Sequence, residues 1–131
     1  MPKNQIPRRR ERLLVSKLTR DLMTLWRQAS TRAGFPKERI SFLAGLYTAS
    51  LEGHGITINK LALVSGIPRS TVERKLLAHL NTGIVVRKGN QFILSDEAIK
   101  VASGDLLDQA IERITGTARH LNVPQNGQPS P

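Results

Sequence analysis

Between Leu61 and Leu94 the chain reads LALVSGIPRSTVERKLLAHLNTGIVVRKGNQFIL, and this stretch limits the fold more tightly than any other. Leu61, Ala62, Ile67, Val72, Leu76 and Leu80 recur at the three- and four-residue spacing of helices that bury one face. The pattern breaks at Ser65-Gly66-Ile67-Pro68. Two helices that cross steeply need a turn of about four residues, usually with a glycine, and Gly66 supplies it. The second helix is expected over 69–81 and stops at Gly83. Ile84 to Arg87 and Gln91 to Leu94 are β-rich runs on either side of Lys88-Gly89-Asn90, a strong hairpin signal.

The flanks extend the pattern. Residues 1–12 are expected as a basic flexible arm, because Pro2 and Pro7 discourage helix there. Leu14, Leu18, Leu22, Leu25, Trp26 and Ala29 give a helix from about Glu11 to Thr31, closed by Gly34 and Pro36, with Leu13 and Met23 off its apolar stripe. A second helix is expected from Lys37 to Glu52, with Ile40, Leu43, Ala44, Tyr47 and Leu51 as its face. Thr57 and Ile58 suit a short bridge, and Asn59 suits the cap of a short helix over 60–64. After the hairpin, Ser95 or Asp96 caps a helix over 97–102. A last helix runs from Asp105 to Leu121, with Leu106, Leu107, Ala110, Ile111, Ile114 and Leu121 as one stripe and Gly116 weakening it. Residues 122–131, NVPQNGQPSP, have the composition of a disordered tail.

Helix, short strand, helix, turn, helix, strand, tight turn, strand is the order of a winged helix-turn-helix. The expected fold class is therefore mainly α with a small β-hairpin, with flanking N- and C-terminal helices. It occupies 13–121, with a core at 38–102.

Charge adds the chemistry. Twenty Lys and Arg against ten Asp and Glu give a formal net charge of +10 in 131 residues. Such a surface attracts polyanions, because each bound phosphate releases condensed counterions. The outer side of the second helix is expected to carry Arg69, Ser70, Thr71, Arg74 and Lys75, with Glu73 nearby. A recognition helix presents its N-terminal half to base edges in the major groove. Arginine pairs bidentately with guanine, and hydroxyls and lysine suit phosphate. Arg69 and Arg74 are thus the candidates for base contact. Ser70 and Thr71 suit phosphate or, alternatively, a helix cap. The hairpin tip over 87–91 is the expected wing, with Arg87, Lys88 and Asn90 at the backbone. Arg8, Arg9 and Arg10 are candidate arm contacts, or simply a solubilising segment.

Residues 38–102 resemble the winged-helix domain of the MarR-type bacterial transcription regulators. The resemblance is carried by Leu61, Ala62, Gly66, Ile67, Pro68, Ser70, Thr71, Val72, Leu76, Leu80, Gly83, Ile84, Val86 and Arg87. It implies a regulator that binds double-stranded DNA as a homodimer, with the terminal helices packing against a second chain. A two-fold dimer sets two recognition helices about one DNA turn apart. The chain departs from the family's pattern at His79, where an acidic residue is usual, and in a shorter wing. The resemblance also implies a small-molecule effector. Trp26, Phe42 and Tyr47 are candidates to line its pocket, although core packing is the preferred role for them. The competing function is a non-specific architectural or protein-interaction accessory factor, motivated by the Arg8–Arg12 cluster.

Other classes lack their chemistry. Without cysteine there are no disulfides, thiolate metal sites or thiol nucleophiles. His54, His79 and His120 are far apart in sequence, and the carboxylates form no evident acid–base pair. No cofactor, metal site or enzyme activity is expected. The sequence contains no apolar run of membrane-spanning length, and a cytoplasmic location is the expectation.

Overall fold

A computed structural model describes residues 6–122. Among them are six helices and three strands: α1 (Arg9–Arg32), α2 (Ile40–Glu52), β1 (Ile56–Thr57), α3 (Ile58–Ser65), α4 (Arg69–Thr82), β2 (Val85–Lys88), β3 (Gln91–Leu94), α5 (Asp96–Ser103) and α6 (Leu106–Leu121). The protein is mostly helical, with a small antiparallel sheet in the order β1-β3-β2. It divides into two compact units. One runs from Trp26 to Gly104, and the other comprises the segments up to Leu25 and from Asp105 onward.

In the Trp26–Gly104 unit the core is Phe35, Phe42, Leu43, Leu46, Leu61, Val72, Leu76, Val85, Phe92 and Leu94, all essentially inaccessible to solvent. Each such side chain contributes about 1.5–3 kcal/mol on leaving water. Side-chain hydroxyls tie the elements together. Ser41 Oγ donates to the Ser65 carbonyl at 2.9 Å, joining α2 to α3. Ser50 Oγ accepts from the Leu94 amide at 2.8 Å, joining β3 to α2. Arg32 donates to the carbonyls of Val101 and Ala102, and Tyr47 Oη lies 2.6 Å from Ser103 Oγ, so α5 is held by both α1 and α2. The close approach of α2 to α3 occurs at Gly45, where a Cβ would come within 2.8 Å of Leu61 Cδ1.

The helix-to-helix turn forms as the sequence predicts. Gly66 adopts φ 71, which costs glycine little, and its amide bonds the Ala62 carbonyl at 3.0 Å. The hairpin pairs Lys88 with Gln91 and Arg87 with Phe92. Gly89 at φ 62 is the first of two turn residues and Asn90 is not left-handed, the pattern of a II′ turn. β1 adds the third strand, pairing Ile56 with Phe92.

Several expectations are corrected. α1 begins at Arg9, so Arg9 and Arg10 are helical rather than part of a flexible arm. Pro7 lies outside the helix and does not interrupt it, and Glu11 in its first turn favours the start. Residues 1–5 of the expected arm and 123–131, all but the first residue of the expected disordered tail, lie outside the described residues. α2 begins at Ile40, because residues 36–39 form a turn in which the Glu38 amide bonds Phe35 O. Its buried residues are Phe42, Leu43, Leu46 and Ala49, while Leu51 is 61% exposed. The cap of α3 is Thr57, which accepts from the Lys60 amide, and not Asn59. β1 accordingly lies one residue earlier than expected, and α3 starts two residues earlier.

In the terminal unit α1 and α6 are linked by Arg113 to Asp21 at 3.4 Å and by Arg10 to the His120 carbonyl, an antiparallel pairing. Leu25 and Leu106 are buried. The single expected stripe of α6 is split. Leu106 points inward, but Leu107, Ile111, Ile114 and Leu121 form an outward row with 38–58% exposure. Leu13 and Val15 on α1 are about half exposed as well. Among the described residues no helix is long and apolar enough to cross a membrane.

Candidate nucleic-acid interface

A helix advances 100° per residue, so burial shows which side of α4 faces out. Val72 and Leu76 are buried, and Leu80 is half-buried on the same side. The opposite side presents Ser70, Arg74, Leu77, Ala78 and Asn81, all exposed. Arg74 stands at its centre with no ion-pair partner among the described residues. Ser70 is likewise uncommitted. The N-cap position of α4 is Pro68, which has no side-chain cap bond, so neither Ser70 nor Thr71 caps the helix, and its first amides lack side-chain acceptors. Thr71 is half-buried and peripheral to the outward face.

Arg69 is exposed but engaged. Its Nε donates to Asn59 Oδ1 at 2.6 Å, and Nη1 lies 3.7 Å from Glu73. This bond occupies the residue expected to cap α3, and it joins the start of α3 to the start of α4.

Lys75 departs furthest from expectation. Its ammonium points inward to Glu38, 2.9 Å from Oε2, and donates to Oε1 at 3.1 Å. The Lys75 side chain is 26% exposed and that of Glu38 only 10%. Oε2 is contacted by charge and lacks a directed hydrogen bond. One helical turn on, His79 Nε2 lies 3.9 Å from Glu38 Oε1, and the imidazole packs on Phe35 at 4.2 Å between ring centres. Burial holds the His79 pKa below the ordinary histidine value. Glu38 opposes that shift, and Lys75 reinforces it.

At the hairpin tip Lys88 and Asn90 are exposed and uncommitted. Arg87 is folded back: Nε donates to the Gly89 carbonyl at 2.8 Å, and its guanidinium lies 5.6 Å from the Phe92 ring centre. Arg8 pairs with Glu11 at 2.9 Å, and Arg10 is held by the His120 carbonyl, so of the three arm candidates Arg9 is the uncommitted one.

Ser70, Arg74, Lys88 and Asn90 thus stay free, Arg69 and Arg87 are exposed but hydrogen-bonded, and Thr71 and Lys75 turn away. Sequence reasoning missed Leu77, Ala78 and Asn81 on the outward face, although the same periodicity that named Arg74 includes them. Asn81 has the amide that suits adenine.

Trp26, Phe42 and Tyr47 take the packing role preferred for them. Phe42 is fully buried, and Trp26 meets Tyr47 edge to face at 5.4 Å. A groove of about 550 Å³ opens between α2, α3 and β1, over Ala44, Gly45, Thr48, Ile56 and Val64. Among the described residues no three His, Cys, Asp or Glu side chains gather to hold a metal. No family model and no curated protein matches the chain.

Proposed function

We propose that the protein is a DNA-binding transcription regulator with a winged helix-turn-helix. In this role α4 enters the major groove and the β2–β3 tip rests on the backbone. The observation that carries this reading is the outward face of α4, where an unpaired Arg74 stands between Ser70 and Asn81. The order α2-β1-α3-α4-β2-β3, with β1 beside β3, supports the winged arrangement, and the net charge of +10 supports a polyanionic partner. Lys88 and Asn90 suit phosphate contact. The uncapped start of α4 offers backbone N–H groups to a phosphate as well.

The protein acts by binding rather than by catalysis, in the cytoplasm, as a homodimer. The exposed row Leu107, Ile111 and Ile114 supports self-association through the terminal helices. Binding-site selection from a random duplex library, with the full-length protein at about physiological salt, tests the function. Enrichment of a palindrome with half-sites about one turn apart is expected. Binding that enriches no sequence and vanishes as salt rises would instead favour an architectural factor.

A further inference from the structure

We propose that Glu38 positions α4 by withholding Lys75 from DNA, so that Lys75 is an anchor of the helix and not a phosphate contact. The consequence for DNA rests on the function proposed above, whereas the anchoring stands on geometry alone.

Lys75 and His79 are four residues apart on one side of α4, and both approach the same carboxylate. That carboxylate belongs to the turn before α2, three residues after Phe35, whose ring packs on His79. The turn therefore grips α4 twice, through an aromatic contact at His79 and an ion pair at Lys75. Exposed ion pairs contribute little, and Arg8–Glu11 and Arg69–Glu73 are of that kind, with side chains 38–74% exposed. Glu38 and Lys75 are largely covered, so removing the cation strands a carboxylate away from water. α4 has no side-chain N-cap, so packing and this pair set its rotation. With Lys75 drawn inward, the outward face is left to Ser70, Arg74 and Asn81.

The test uses full-length wild type, Lys75→Met, Glu38→Gln and the double variant. Binding to one mixed-sequence duplex is measured across a range of salt concentrations. A lost phosphate contact flattens the slope of log affinity against log salt by about 0.9. Lys75→Met is expected to leave the slope at the wild-type value while lowering affinity about tenfold at fixed salt, within the range of coupled contacts. Glu38→Gln frees the ammonium and steepens the slope by up to about 0.9, and the double variant returns to the wild-type slope. A flattened slope in Lys75→Met would overturn the proposal, and an unchanged affinity would remove the positioning role. Thermal melts of the same proteins need no DNA. Each single change is expected to lower Tm by several degrees, and the double change by less than their sum. Additive losses would refute the anchoring. If wild type binds no duplex, the DNA-binding reading falls while the melts still decide whether Glu38 holds Lys75.

Discussion

The Trp26–Gly104 unit and the terminal unit differ in how many of their large apolar residues they bury. In the first, ten large side chains are almost fully buried, from Phe35 to Leu94. In the second, Leu25 and Leu106 are covered, while Leu13, Val15, Leu107, Ile111 and Ile114 remain about half exposed. The first unit builds a full core within the chain and still exposes Leu51, Leu63, Val64, Leu77 and Val86. The second leaves apolar surface of the kind that a partner surface covers, and on the function proposed here that partner is a second copy.

Substitutions sharpen the contrast. Leu76→Ala opens a cavity at a fully buried position and should cost about 2–5 kcal/mol, measured by urea unfolding. Ile111→Glu together with Ile114→Glu should shift sedimentation from dimer to monomer while the near-UV spectrum of Trp26 and Tyr47 is kept. A change in that spectrum with no change in mass would make the row structural. Gly116→Ala meets open space, so it should stabilise α6 by about 1 kcal/mol and raise helicity. Loss of helicity would mean that the glycine has a packing role.

The smallest effect concerns pH. Burial lowers the folded-state pKa of His79 from its ordinary value of 6.5. The unfolded chain then takes up the proton first as pH falls. The stability due to the neutral imidazole is complete above about pH 6.5 and is lost as pH drops from there through the lowered folded value. His79→Gln should flatten the decline of Tm in that window. An unaltered decline would assign it to another group.

Much of the fold was legible because glycine and proline punctuate it. Gly66, Gly83 and Gly89 mark turns that no neighbouring residue contradicts, and the element order followed from them. α2 was harder, since Ile40, Phe42, Leu43, Leu46, Ala49 and Leu51 supply apolar residues on several sides, and periodicity alone selects no single face. The α6 stripe was merged for a related reason: spacing identifies apolar residues but not which of two adjacent rows finds a neighbour. At the candidate interface, Arg74 was legible from helical phase. The fate of Lys75 was not, because its partner Glu38 lies 37 residues away in the chain. The bonds of Arg69 to Asn59 and of Arg87 to the Gly89 carbonyl likewise depend on where other elements end.

The most direct test of the central claim compares wild type with Arg74→Ala on the selected site and on random duplex. A base-reading Arg74 predicts a loss of about 10- to 100-fold on the selected site, a much smaller loss on random DNA, and unchanged melting. An equal loss on both duplexes, or none on either, would contradict sequence reading by the outward face of α4.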